Sequence, residues 1–166
     1  MARVTIFVDG NDFYTGLKEN NMDTSIDFFN LGRKLCNEDR ELIRVYYYNV
    51  RCNQQENEIQ YRLQQKFISA LEKAHYVEPT FLQSKYDAKI KLAVDMLEFA
   101  LRDTYDVAVL VSRSRSYIPA IKSVKDLGKH TELAFFNERI DALRNISDMY
   151  TEINKDVVDK CLYSSK

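Results

Sequence analysis

The sequence predicts a three-layer α/β fold, a Rossmann-like sandwich with a mainly parallel central sheet, on three observations. Residues 4–8 and 107–111 are continuous apolar runs, the pattern of strands covered on both faces. Strand-like and helix-like segments alternate along the chain, as crossovers between parallel strands require. Polar residues crowd directly after both runs, Asp9-Gly10-Asn11-Asp12 after the first and residues 112–116 after the second. Sheets of this kind bind ligands in the crevice beyond the carboxyl ends of their strands.

In chain order, the apolar run predicts a strand over 3–8, and the turn chemistry after it opens a helix over 11–19. A further helix over 27–36 precedes a strand over 42–50, rich in Val and Tyr. Asn53 is the expected N-cap of a long helix over 54–75, followed by a strand over 77–83. The helix over 89–102 is apolar on most sides, which predicts a core helix, and Asp95 interrupts it. A strand over 106–112 runs into a helix over 116–127 that Gly128 stops; a strand over 130–136 and a helix over 139–148 follow, and Asn154 caps a short last helix.

At 166 residues, 45% hydrophobic and 30% charged, one domain over 1–166 is expected, with 4 Gly and 2 Pro leaving little for linkers. Met1-Ala2-Arg3 leads straight into a strand, and no apolar run approaches the ~20 residues of a membrane span, so neither secretion nor membrane insertion is expected. Cys36, Cys52 and Cys161 are odd in number and widely spaced, which argues against a disulfide framework or a zinc site and for thiols of a cytoplasmic protein.

With 24 Lys and Arg against 25 Asp and Glu, no global field attracts a polyanion, so nucleic-acid binding would need a local patch. Arg113, Arg115, Lys122, Lys125 and Lys129 form one such stretch; for Lys122 and Lys125 the competing reading is a solvated helix face. Asp9, at the end of a buried strand, suits a divalent cation, and equally suits an N-cap for the helix behind it. Asp95 on an apolar helix needs a metal or a cation, and Lys89 or Lys91, the latter one turn earlier, is the expected partner. Arg113 and Arg115 before a helix start, with hydroxyls from Ser114 and Ser116, make a phosphate-binding arrangement. Tyr86 and Tyr117 can stack on bases or fill the core, and the same choice applies to Tyr46, Tyr47 and Tyr48. His75 and His130 fall outside these segments, so no Ser-His-Asp triad is expected, and no phosphate-binding Gly-rich loop is present.

The blocks IFVDGNDFYTGLK, LAVDMLEFAL and YDVAVLVSRSRSYIPAIKSVKDLGK, with the VYYYNV strand and the late LRNISDMY segment, resemble the NYN domain, the LabA-like branch of the PIN-fold nucleases. The resemblance implies a Rossmann-like sandwich in which aspartates at the strand ends hold Mg²⁺ or Mn²⁺ for RNA hydrolysis. Asp9 and Asp95 match two of those aspartates and Asn11 the polar residue beside the first, which implies catalytic roles for all three. The family usually reads Ser-Gly-Asp-Ser-Asp-Phe where this chain reads Ser112-Arg113-Ser114-Arg115-Ser116-Tyr117, and an aspartate where Lys89 stands. At an effective dielectric near 20, an ammonium about 6 Å from a divalent ion is repelled by roughly 5 kcal/mol.

Three functions follow as expectations. The first is a degenerate domain that binds RNA or another phosphate-bearing ligand through Lys89, Arg113, Ser114, Arg115 and Ser116 with little cleavage. The second is a nuclease that holds one weakly bound Mg²⁺ or Mn²⁺ on Asp9 and Asp95. The third is an interaction module with a vestigial crevice, in which a helical face makes a homodimer.

Overall fold

A computed structural model of the protein describes residues 1–138 and 140–163. Its element order is β1 (Arg3–Asp9), α1 (Gly10–Glu19), α2 (Phe28–Cys36), β2 (Glu41–Val50), α3 (Glu58–Lys73), β3 (Val77–Leu82), α4 (Lys85–Leu101), β4 (Val107–Val111), α5 (Ile118–Asp126), β5 (His130–Phe135), α6 (Asp141–Ile146), β6 (Met149–Glu152) and α7 (Lys155–Lys160), with a 3-10 turn, Arg115–Tyr117, leading into α5. The strands form one sheet in the order β3-β2-β1-β4-β5-β6, every adjacent pair parallel. Strand order reverses at β1, so the crevice of the expected α/β fold opens between the carboxyl ends of β1 and β4. No helix among the described residues is long and apolar enough to cross a membrane.

Side-chain parity divides the core. Val4, Ile6 and Val8 of β1 join Val107, Val109 and Val111 of β4 under α1, α2, α3 and α7. Phe7, Ala108 and Leu110 face the other way, under Leu92 and Met96 of α4, Ile121 and Val124 of α5, and Leu143 of α6. The apolar runs are continuous because both faces of β1 and β4 are roofed. Asp9 shares the parity of Phe7, which aims its carboxylate towards α4.

Several boundaries differ from the sequence reading. Asn57, not Asn53, caps α3, its side chain accepting from the Gln60 N–H at 3.1 Å; Asn53 closes a turn just before. Helix α4 starts at Lys85 because Ser84 Oγ accepts from the Asp87 N–H at 3.1 Å, a better cap than any residue nearer 89. The sixth strand was not foreseen: β6 is four largely exposed residues, too short to show period-2 alternation. Gly128 ends α5 with φ +83°, and Asn154 caps α7, as expected.

A candidate site between the ends of β1 and β4

The register Val8↔Val111 puts Asp9 and Ser112 side by side just past the last paired residues. Asp9 caps α1, its Oδ1 accepting from the Asp12 N–H at 3.2 Å. The first residue after Asp9 must be glycine, since a Cβ on Gly10 would lie 2.3 Å from the ring of Tyr47. The cap leaves Oδ2 of Asp9 for longer-range partners. It accepts from Lys89 Nζ and from the Tyr117 hydroxyl, each at 2.8 Å. Lys89 Nζ also lies 3.5 Å from Asp12 Oδ2, and that same oxygen accepts from Ser112 Oγ at 2.5 Å. One ammonium is thus shared by two carboxylates, over the Tyr117 ring at 5.4 Å from its centroid.

The side chain of Asp9 is only 7% exposed and that of Lys89 23%, so the pair is poorly screened by water. Burial, followed by the charges of Asp9 and Asp12, pushes the Tyr117 hydroxyl far above the ordinary phenol range, so it stays a donor. Tyr117 is buried and cannot serve as a base-stacking platform; core packing decides that alternative.

Asp95 has a different set of partners. Its Oδ2 accepts from the Tyr48 hydroxyl at 2.8 Å and its Oδ1 from Lys91 Nζ at 2.9 Å. Burial and the Asp95 charge push Tyr48 far upward. Tyr48 is the strand neighbour of Asp9, so the two aspartates flank one patch of the sheet edge, but each has its own lysine. Of the two lysines expected for Asp95, Lys91 is its partner, and Lys89 is taken by Asp9 and Asp12 instead.

The loop after β4 is also more committed than its composition implies. Ser112 Oγ accepts from the Ser114 N–H at 3.0 Å and Ser114 Oγ from the Ser116 N–H at 3.3 Å, while the Tyr117 N–H goes to the Ser114 carbonyl. The N–H groups of Ser116 and Tyr117, two of those expected to hold an anion at the start of a helix, are thus taken within a 3-10 turn. Arg113 is bound by Glu19 at 2.8 Å and Glu138 at 2.9 Å, and lies 5.8 Å over Phe135. The hydrogen bond to Glu19 is the main cause that raises its pKa further above the usual range, and it lowers that of Glu19. Arg113 is a clamp between the end of α1 and the segment after β5. Arg115 and Ser116 are exposed, as are Lys85 and Tyr86 on the first turn of α4, which packs against this turn; Asn11 is half-buried in the first turn of α1.

A divalent ion does not fit these residues as arranged. Mg²⁺ wants oxygen ligands at about 2.0–2.1 Å in octahedral array, whereas both Asp9 oxygens already accept donors and the ammonium of Lys89 lies between Asp9 and Asp12. Among the described residues no group of three His, Cys, Asp or Glu side chains is placed to hold a metal. Sequence reasoning gave Asp12 and Ser112 no individual role and read Tyr117 and Tyr48 only as base platforms or core residues, missing their bonds to the aspartates. Asp12 carried a signal, three residues after Asp9 at capping distance; the tyrosine hydroxyls carried none, because their partners are 47 and 108 residues away.

The family described as the NYN domain matches residues 3–154. A solved structure of a protein of unknown function from Vibrio parahaemolyticus superposes with a TM-score of 0.66 at 17% identity, covering 93% of this chain and 94% of that one, a likeness of fold. No curated protein sequence matches.

Proposed function

The chain belongs to the NYN domain family, a branch of the PIN-like nuclease superfamily, and from that premise we propose that it binds single-stranded RNA at the carboxyl edge of its sheet without metal-dependent cleavage. The observation that carries the reading is Lys89, whose ammonium sits between Asp9 and Asp12 and neutralises the carboxylates a metal would need. A covalently attached cation cannot activate water or polarise a phosphoryl oxygen as a divalent ion does, but it leaves the edge less acidic towards a polyanion. Exposed Lys85 and Arg115 supply phosphate contacts, Ser116 a hydroxyl, and Tyr86, 80% exposed, a stacking face. Arg113 contributes little, being held by two glutamates.

Titration of single-stranded RNA at several salt concentrations tests the binding half. Lys85→Ala with Arg115→Ala should weaken binding across sequences and flatten the log–log salt slope by roughly one to two, and an unchanged slope would remove these residues from the account. Calorimetry with Mn²⁺ tests the chemical half: Lys89→Asp should bind the ion at least about tenfold more tightly than the wild type, because repulsion becomes ligation. The second reading, a nuclease, is favoured by the convergence of Asp9 and Asp12 on one point. Mn²⁺-dependent cleavage by the wild type that disappears in Asp9→Asn would establish it and sink the first.

A further inference from the structure

Helix α4 is apolar on most sides, yet it lies at the surface. Ala88, Leu92, Asp95, Met96 and Ala100 are its buried positions. On the far side Ile90 is 62% exposed, Val94 49% and Leu101 70%, with Leu97 half-buried beside them. Residues 90, 94, 97 and 101 are spaced four, three and four apart, the repeat at which two helices interlock along a straight seam. Ordinary surface helices carry polar residues there.

We infer that this seam is the contact between two copies of the chain, packed antiparallel, α4 on α4, about a two-fold axis passing beside residues 94 and 95. The charges select the second copy as occupant. Along one flank of the seam stand Asp87, Lys91, Glu98 and Arg102, in alternating sign and symmetric about the point between 94 and 95. A two-fold axis there sets the flank against its own reversal, so Asp87 meets Arg102 of the second copy and Lys91 meets Glu98 of the second copy. All four facing pairs are opposite in sign. A two-fold contact must be self-complementary in this way, whereas the partner of an unrelated surface has no need of the symmetry. Within one chain Lys91 also pairs with Asp95 and Glu98 with Arg102, so the dimer would extend existing pairs into a row of charges. The inference stands whether or not RNA binds.

A helix of this length spans about 25 Å, so a single helix pair falls at the low end of specific interfaces and micromolar association is expected. Sedimentation velocity from about 1 to about 300 μM should show the wild type passing from monomer to dimer in that range. Val94→Glu, at an exposed position that leaves the core intact, should keep the protein monomeric throughout with an unchanged circular dichroism spectrum. Asp87→Arg and Arg102→Asp should each weaken the dimer about twofold to fivefold, and the double variant should restore it. A wild type monomeric at the highest concentration, a dimer indifferent to Val94→Glu, or a double variant no tighter than either single would each overturn the inference.

Discussion

Asp9 and Asp95 are both buried, both accept a tyrosine hydroxyl at 2.8 Å, and both are neutralised by a lysine of α4, but the two lysines are held in different ways. Lys91 reaches Asp95 along its own helix, one turn on, with its side chain 44% exposed. Lys89 crosses from α4 to the end of β1, 80 residues away in sequence, and is 23% exposed between two acids. The first pair satisfies one helical residue. The second joins three elements, α4, β1 and α1, at the switch point of the sheet. Local charge pairing and site architecture thus use the same residue types at different ranges.

The largest expected break in this comparison is Lys89→Ala, which strands a buried carboxylate and should cost about 3 kcal/mol in urea unfolding. A loss below about 1 kcal/mol would mean that the hydroxyl and the cap suffice for Asp9. Millimolar Mn²⁺ should return part of that stability to Lys89→Ala and none to Lys91→Ala, because only the former vacates a point shared by two carboxylates. Next comes Tyr117→Phe, which removes a donor from Asp9 and should cost about 1–2 kcal/mol; Tyr48→Phe should cost a similar amount at Asp95. Unequal losses in the two phenylalanine variants would show that one carboxylate depends on its lysine more than the other. Lys91→Ala should cost under about 1 kcal/mol, since its ammonium is largely in water.

The smallest effect is alkaline. Burial raises the folded-state pKa of Tyr117 and Tyr48, while in the unfolded chain they ionise near the ordinary 10. The stability they contribute is complete below that unfolded value and declines as pH climbs beyond it. Absorbance titration at the phenolate band should find these tyrosines silent until the protein unfolds, and Tyr117→Phe should remove one from the late-titrating group.

Much of this was legible in the sequence where the cause is local. The apolar runs of β1 and β4, the polar turns after them and the match to NYN blocks located the fold and the sheet edge, and the four-residue spacing exposed the pairing of Lys91 with Asp95. What was not legible depends on tertiary distance. Nothing near Lys89 names Asp9 as its partner, and nothing near Arg113 names Glu19 and Glu138, so two cations read as phosphate ligands turned out to be held by acids. The apolar breadth of α4 was visible, but it reads as core burial until the sheet shows which side lies outside.

The position of β1 in the sheet also bears on how the chain assembles as it is made. β1 pairs with β2 on one side and β4 on the other, and its β4 partners begin at Val107. A nascent chain that has emerged only through α4 therefore carries a half-built sheet whose central strand presents an unpaired edge. Because pairing over a hundred residues is slow, completion waits on late synthesis. Any product that ends before β4 would carry that open edge permanently, which makes early termination a direct route from this fold to aggregation.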